Sequence, residues 1–309
     1  MDPITETLSK YSLAENEPVA LLRESSDNIV YMVGNTDKKI LRVGKKTALT
    51  EVAFEHDVLE RLENNSVPVP AWVLTKSGDI CAQTTDGRVA VVFGNVPGYH
   101  ASFDGELSTN KHAFSAGQIL GLIARAGEDF VPQHSRTRTV YSELEKALTH
   151  EKEISTYLEG GAQFIKEVRS IIELTKRYVT PEGLLHNDYR PGNVFFSDPE
   201  NISGVIDFDW SCMGPLIKDV AHGAMEWSFQ DGESEPNQET FSRFISGYNS
   251  SAKRPFTDQV EIYLWAMQAA LADTATYFCD RLGTDSSIRR VSSSFMYRKF
   301  LYFSSKYTQ

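Results

Sequence analysis

The sequence is poor in the features of secreted, membrane-spanning and nucleic-acid-binding proteins. Its 309 residues include three cysteines, too few and too widely spaced for a disulfide framework or a CxxC metal site. No apolar run approaches the ~20 residues that span a bilayer, and the N-terminal MDPITETLSKYS lacks the pattern of a secretion signal. Lys and Arg (31) are outnumbered by Asp and Glu (42), and the net charge of −11 disfavours nucleic-acid binding. We therefore expect a cytoplasmic protein that binds neither membranes nor nucleic acids.

The pattern along the chain changes near residue 95. Residues 1–95 alternate β-branched segments with turn sequences around one amphipathic helical pattern at 50–63, whereas residues 99–309 are mainly helical. This predicts an α+β fold with a small antiparallel N-terminal sheet lobe, a hinge at 93–98 and a larger helical lobe. The strands are expected at 19–22, 28–34, 38–44, 72–75, 80–84 and 88–93. The helices are expected at 109–128, at 141–179 and beyond 210, with a loop at 230–239.

Two polar clusters, LLHNDYRPGN and VIDFDW, each follow a short apolar segment. Phosphoryl transfer from ATP needs a carboxylate to hold the acceptor hydroxyl, together with oxygen ligands for Mg²⁺. Asp188 fits the first role, while Asn193 and Asp207 fit the second. Kinase catalytic loops have the same spacing of five residues between Asp and Asn, with a metal-binding Asp further along. The spacing therefore predicts a Mg·ATP site.

Two other interpretations of these clusters are open. His186, Asp188 and a distant His222 match the donor types of a non-haem iron triad, but that leaves Asn193 and Asp207 without a role. Alternatively, the polar residues only cap turns and strand ends. The ordered set at these spacings favours phosphoryl transfer over both.

A kinase site also needs a cation near the phosphates, held by a carboxylate on the next helix. Arg42 falls on the same side of its predicted strand as the apolar Ile40, which is the inward side. Glu51 and Glu55 both fall on the apolar face of the following helix, where an unpaired carboxylate is costly. Either could pair with Arg42 to anchor ATP phosphates. Glu51 is near enough to the helix start to cap it, which favours Glu55.

The glycine-rich loop that covers the phosphates in protein kinases is missing. The corresponding hairpin reads RESSDNIVYMV. Ser25, Ser26 and Asn28 could supply hydroxyl and backbone donors in its place. This disfavours a protein kinase but not phosphoryl transfer.

The combination resembles the aminoglycoside phosphotransferase/choline kinase superfamily, which has a two-lobed protein-kinase-like fold. NIVYMVGNTDKKILRV, EHDVLERLENNSVPVP, VVFGNVPG and HNDYRPGN with IDFDW carry the resemblance, which extends over most of the chain. The stretch GVIDFDWSCMGPLIKDVAHGAMEW is similar to the homoserine-kinase-like branch. The resemblance implies ATP- and Mg²⁺-dependent phosphorylation of a small-molecule hydroxyl. A homoserine-like amino alcohol is favoured over an aminoglycoside or choline.

The resemblance also implies catalytic roles. Asp188 is the catalytic base or hydroxyl-positioning group, and His186 orients its loop. Arg190 occupies the position of the catalytic-loop Lys of protein kinases, near the transferred phosphate.

Cofactor-binding roles follow from the same resemblance. Asn193 and Asp207 are the implied Mg²⁺ ligands, with Asp209 binding metal or substrate or supporting the ligands. The hinge backbone between Gly94 and Val96 is the implied adenine-binding element.

Two points stay open. The acidic stretch 226–239, with Glu226, Asp231, Glu233, Glu235 and Glu239, is interpreted as a solvated loop or as the lining for a cationic acceptor. A kinase-like regulatory protein that binds nucleotide without turnover is the alternative to an enzyme, and the intact set of polar motif residues disfavours it. The sequence indicates no oligomeric state.

Overall fold

The computed structural model describes residues 3–13, 17–25, 27–101, 110–178, 182–230, 232–282 and 289–307. These residues form eleven β-strands and ten α-helices. The strands are β1 (Val19–Glu24), β2 (Asn28–Val33), β3 (Lys39–Gly44), β4 (Trp72–Val73), β5 (Ala82–Gln83), β6 (Val89–Gly94), β7 (Tyr99–His100), β8 (Glu182–Leu185), β9 (Val194–Asp198), β10 (Asn201–Val205) and β11 (Cys212–Pro215). The helices are α1 (Pro3–Ser9), α2 (Leu49–Asn64), α3 (Asn110–Ala126), α4 (Ser142–Thr149), α5 (Glu151–Tyr157), α6 (Gly161–Lys176), α7 (Leu216–Ser228), α8 (Gln238–Ser251), α9 (Gln259–Cys279) and α10 (Phe295–Tyr307).

An antiparallel sheet forms the N-terminal part, with strand order β1-β2-β3-β6-β4, and β5 also pairs with β6, at Val89 and Ala90. Side chains of the central strand β3 alternate between its two faces. Leu41 and Val43 pack with Tyr11 on one face. Arg42 points to the other face, where it meets α2. The alternation of side chains along β3 therefore points Arg42 towards α2.

The C-terminal part is a helical assembly. α3 packs along α8, and α9 packs against α7 and α10. The α3–α8 contact depends on glycine, because a β-carbon at Gly117 would overlap the carbonyl oxygen of Phe244, and one at Gly247 would overlap that of Phe114. The lack of a side chain lets the two helix backbones approach closely. Among the described helices, none is long and apolar enough to cross a membrane.

The structure confirms that residues 141–179 are mainly helical and corrects the expected loop in two places. The region 141–179 is divided into α4, α5 and α6, and the second break lies at Gly160, whose left-handed φ of 83° ends the turn before α6. α8 begins at Gln238, inside the predicted loop, because Asn237 accepts the Thr240 N–H as an N-cap. Glu226, which was interpreted as part of a solvated loop or of the lining for a cationic acceptor, is buried on α7.

Candidate active site

Two strand pairs bring the polar motifs together. β8 pairs with β11, and β9 pairs with β10. Residues 186–193, here called the HND loop, connect β8 to β9, and residues 206–211, the DFD loop, connect β10 to β11. Each loop therefore starts in one strand pair and ends in the other, so the two run side by side. The Ile206 N–H donates to the carbonyl oxygen of Asn193 at 2.9 Å.

The start of α7 fixes the HND loop. The Asp219 carboxylate accepts the backbone N–H of His186 at 2.6 Å and that of Asn187 at 3.0 Å. The Lys218 ammonium donates to the carbonyl oxygen of Asn187 at 2.8 Å. Asn187 has a left-handed φ of 67°, an unfavourable conformation for most side chains. The bonds to α7 satisfy its backbone groups and hold it there.

The His186 side chain joins the two loops inside the site. Its ring is fully buried, and burial holds its pKa below the usual value. In the neutral ring, Nε2–H donates to the Ile206 carbonyl at 2.9 Å and Nδ1 accepts the Asp188 N–H at 3.3 Å. Both ring nitrogens are thus engaged between the two loops. His222 pairs with Asp273 instead, and no group of possible metal ligands in the described ranges joins it to His186 and Asp188. The geometry does not support the iron triad.

Asp188 and Asn193 form a pair across the HND loop. The Asn193 side-chain nitrogen donates to Asp188 O at 2.8 Å and to Asp188 Oδ2 at 3.0 Å. Arg190 Nε lies 3.2 Å from the same Oδ2, and the Asp188 carboxylate is the main cause that raises the pKa of Arg190. The Asp188 side chain stays 24% exposed. Both neighbours contact Oδ2, which leaves Oδ1 to face a ligand.

The DFD loop concentrates negative charge. Asp207 adopts a left-handed φ of 70°. Repulsion from Asp209, together with burial, holds the pKa of Asp207 well above its usual range, although Arg42 opposes the shift. The side-chain nitrogen of Asn28 donates to Asp209 Oδ2 at 2.8 Å. Asp207 lines the same cavity as Asn193. Carboxylate and amide oxygens are donors that Mg²⁺ prefers, and a divalent cation at Asp207 would relieve its repulsion from Asp209. The residues present therefore fit a magnesium ion.

Arg42 and Glu55 form a buried ion pair between β3 and α2. Arg42 Nη1 lies 2.9 Å from Glu55 Oε1, Nη2 contacts Oε2, and the guanidinium lies over the Phe93 ring at 5.2 Å. The two side chains are 9% and 3% exposed. Of the two glutamates left open by the sequence, Glu55 is the partner of Arg42, and Glu51 pairs with Arg136 at 2.8 Å.

A cavity of about 670 Å³ joins these parts. It lies between the sheet and the two loops, and its size suits a nucleotide. The predicted site residues on its wall are Arg42, Glu55, Gly94, Val96, Asn193 and Asp207.

The hairpin expected to replace a glycine-rich loop is described in part. Ser26 lies outside the described residues. The hydroxyl of Ser25 accepts the Asn28 N–H at 3.1 Å, which closes the turn between β1 and β2. The Asn28 side chain reaches across to the DFD loop.

The sequence profile of the phosphotransferase enzyme family, abbreviated APH, matches residues 19–250. The chain belongs to this family. The matched range contains all the predicted site residues and both loops, and membership confirms the prediction of a small-molecule kinase.

Curated relatives of this phosphotransferase include two bacterial homoserine kinases. The protein from Rhodopseudomonas palustris is 24% identical over 286 residues, which cover 91% of this chain and 85% of the relative. The protein from Xanthobacter autotrophicus is 24% identical over 299 residues, with coverage of 96% and 91%. The resemblance to the homoserine-kinase-like branch is thus confirmed.

Two solved structures share the fold. A microcompartment-associated aminopropanol kinase has a TM-score of 0.77 at 20% identity and covers 99% of this chain and 98% of its own. An amicoumacin kinase in complex with AMP-PNP and Ca²⁺ has a TM-score of 0.76 at 16% identity, with coverage of 98% and 92%. The predicted α+β, protein-kinase-like fold class is confirmed.

Sequence reasoning missed a cluster of buried charges beside the HND loop of this phosphotransferase. His222 Nε2 lies 3.3 Å from Asp273 Oδ2, and its Nδ1 lies 3.4 Å from the ammonium of Lys218. Glu226 is bonded to Lys299 on α10. We call these five residues the charged cluster. Asp273 gave a signal that could have been noticed, because it is the lone carboxylate in the apolar run WAMQAALADTATYF.

The charged cluster is electrostatically linked to Arg190. After Asp188, the carboxylates of Glu226 and Asp273 are further causes that raise the pKa of Arg190. Burial alone would raise the pKa of Asp273, but His222 and the nearby lysines outweigh it, so the carboxyl has a lowered pKa and is ionised. Its side chain is 23% exposed. The cluster therefore places a partly exposed anion within electrostatic reach of Arg190, with cations next to it.

Proposed function

We propose that this chain transfers the γ-phosphoryl group of ATP to a hydroxyl of a small metabolite. One observation carries the proposal: Asn193 is bonded to Asp188 and also lines the cavity with Arg42 and Asp207. An acceptor at Asp188 and a nucleotide in the cavity would therefore meet beside Asn193. Phosphoryl transfer depends on such positioning and on charge stabilisation more than on covalent help from the protein.

Asp188 positions the acceptor. Its Oδ2 is held by Asn193 and Arg190, so Oδ1 accepts the acceptor's hydroxyl. The bond from the hydroxyl oxygen to the γ-phosphorus forms as the bond from that phosphorus to the bridging oxygen of ADP breaks. The hydroxyl proton passes to Asp188. Arg190 lies close enough to Asp188 to stabilise charge on the transferred group.

Asn193 and Asp207 hold the magnesium ion. The amide nitrogen of Asn193 is used by Asp188, so its Oδ1 is the atom offered to a cation. Asp207 offers a carboxylate held in place by the strand-tied DFD loop. Asp209, bonded to Asn28, supports this site or supplies a further ligand. Mg²⁺, when bound, neutralises charge on the phosphates.

Arg42, fixed by Glu55, anchors the phosphates, and the hinge binds adenine. The N–H groups of Gly94 and Asn95 donate to Ala71 O at 2.8 Å and Lys38 O at 3.3 Å. Within the described residues, the N–H of Val96 has no such acceptor, so it is the hinge donor for adenine. We also propose that residues 1–95 and 99–309 act as two lobes about a hinge at 93–98.

The charged cluster supports an amino alcohol as the acceptor. Asp273 offers an accessible anion for an ammonium group. The neighbouring Lys218 and Lys299 are buried and already bonded to Asn187 and Glu226. An amino alcohol with a terminal hydroxyl matches this anion, and among amino alcohols we favour a homoserine-like substrate. The homoserine kinases among the relatives support the same choice.

A second candidate is an acceptor that carries only positive charge, of the choline or aminoglycoside type. The partly exposed Asp273 favours it, because this carboxylate can bind a cationic group on an acceptor that has no carboxylate of its own.

An ADP-release assay separates these candidates. Homoserine, 1-amino-2-propanol, ethanolamine, choline, an aminoglycoside and glycerol would each be tested with ATP and Mg²⁺. We expect the highest kcat/KM for homoserine and lower values for amino alcohols without a carboxylate. A preference for choline or the aminoglycoside would favour the second candidate. ADP release with none of them, despite binding of Mg·ATP, would favour a regulatory protein without turnover.

A further inference from the structure

The segment between α3 and α4, residues 127–141, leaves the helical assembly and runs along α2. The backbone N–H of His134 donates to Asp57 Oδ2 at 2.8 Å. The Thr137 hydroxyl donates to Glu51 Oε1 at 3.0 Å. Asp57 and Glu51 lie on either side of Glu55 along α2, so the segment contacts the helix around the residue that holds Arg42.

Arg136 is the centre of this contact. Its side chain is 6% exposed, and its Nε lies 2.8 Å from Glu51 Oε2. The guanidinium lies over the Phe54 ring at 5.4 Å, and Nη2 donates to the backbone carbonyl of Asp209. One side chain thus contacts two successive turns of α2 and the DFD loop.

Arg138 anchors the same segment on the other side. Its guanidinium lies 4.2 Å from the centre of the Trp210 ring, and its Nη1 lies 2.7 Å from Glu143 on α4. The DFD loop is therefore held between two arginines of one segment, and the segment is tied to the helical assembly.

The two halves of the Mg·ATP site are also joined elsewhere, for example by the bonds from the Val205 N–H to the Pro68 carbonyl and from Arg61 to the Ala126 carbonyl. Arg42 and Glu55 belong to the sheet and α2, whereas Asp207 belongs to a loop of the helical part. The bond from Asn28 to Asp209 joins them near the hairpin. Burial lowers the pKa of Arg136, while Glu51 and Glu55 oppose that shift, so the guanidinium lies within electrostatic reach of the phosphate-anchoring pair.

We propose that Arg136 is a positioning residue that locks α2 to the DFD loop, so that the Arg42–Glu55 pair and Asp207 are held at a fixed spacing before any substrate binds. The planar guanidinium makes this possible, because it can form an ion pair with a carboxylate while it donates to a carbonyl in another direction. A lysine offers one point charge and cannot hold both partners in this geometry. The proposal rests on the proposed roles of Arg42, Glu55 and Asp207 in binding Mg·ATP.

The test compares Arg136→Lys with the wild-type chain. Arg169→Lys is the matched control, because Arg169 also pairs with a glutamate, Glu151, but is 53% exposed. Hydrogen exchange without ligand is the first measurement. We expect Arg136→Lys to lose protection in residues 49–57 and 206–211 together, while α9 keeps its protection and the control is unchanged. Unchanged exchange in both segments would overturn the proposal.

Nucleotide binding and kinetics give the second measurement. We expect Arg136→Lys to lower kcat/KM for Mg·ATP between about 10-fold and 100-fold, as for a misplaced reacting group, and to leave the acceptor KM within about 2-fold. The thermal shift caused by Mg·ATP should shrink in parallel. Equal loss towards both substrates would indicate a purely structural role and overturn the proposal.

The outcomes distinguish the positioning role of Arg136 from the proposed phosphotransferase function on which it rests. If Mg·ATP stabilises wild type and Arg136→Lys equally, the positioning role is wrong and the proposed function stands. If Mg·ATP does not stabilise wild type, both are wrong.

Discussion

At the scale of the residue, the site depends on carboxylates with different surroundings. Asp188 keeps one oxygen free because Asn193 and Arg190 both contact the other. The ionisation of Asp207 is opposed by its neighbour Asp209, whereas the ionisation of Asp273 is favoured by nearby cations. The first suits a hydroxyl, the second a metal ion and the third an ammonium group.

We expect Asp188→Asn to lower kcat by about 10²- to 10⁴-fold, the usual contribution of a positioned base. The KM and Kd for Mg·ATP should change little, because Asp188 lies outside the nucleotide cavity wall. Steady-state kinetics and calorimetric titration with Mg·ATP would measure the two effects. Near-wild-type turnover of the best acceptor would rule out the role of Asp188.

Asp273→Asn should act on the acceptor instead. Loss of a hydrogen bond to a charged group costs about 1.5–3 kcal/mol, so kcat/KM for an amino alcohol should fall about 10-fold to 150-fold. The KM for Mg·ATP should be unchanged. Glu233→Gln, an exposed substitution in the loop after α7, is the control. Equal effects of the two variants would show that Asp273 does not contact the acceptor.

At the scale of the element, strand pairing and α7 set the site. The HND and DFD loops are held in place because each spans both strand pairs and because Asp219 and Lys218 bind the backbone of the HND loop. His186 then joins the two loops through a neutral ring. The arrangement of the two loops therefore depends on a neutral His186 ring.

This gives a pH prediction for the free energy of unfolding. The pKa of His186 is lowered from 6.5 in the folded protein, so below about pH 6.5 the unfolded chain binds more protons than the folded one. Stability should therefore fall as the pH decreases, by at most about 1.4 kcal/mol per pH unit from this group. Urea unfolding at several pH values would show a shallower dependence in His186→Gln. Identical slopes would contradict the prediction.

The strands, helices and loops also show which parts of the site could be predicted from the sequence. The HND and DFD motifs were recognisable because their residues lie within two short stretches, and strand alternation placed Arg42 inward. Glu55 could be favoured over Glu51 from its distance to the helix start. The partner of Glu51 could not be predicted, because Arg136 comes from a segment 85 positions along the chain with no periodic pattern. Asp273 and Lys299 meet His222 and Glu226 only through the packing of α7, α9 and α10.

At the scale of the whole molecule, the antiparallel sheet and the helical assembly enclose the nucleotide cavity between them. The sheet contributes Arg42, α2 contributes Glu55, and the two loops contribute Asn193 and Asp207. The charged cluster lies within the helices. In the proposed function, this separation would place the nucleotide at the junction of the two parts and the acceptor against the helical part.

The most direct test is ³¹P NMR of the chain incubated with ATP, Mg²⁺ and homoserine, with the other alcohols of the panel in parallel. We expect a phosphomonoester resonance to grow at the expense of the γ-phosphate of ATP. Asp188→Asn should slow that growth by about 10²- to 10⁴-fold while still binding Mg·ATP. No phosphomonoester from any alcohol, in a chain that binds Mg·ATP, would contradict phosphoryl transfer to a small-molecule hydroxyl.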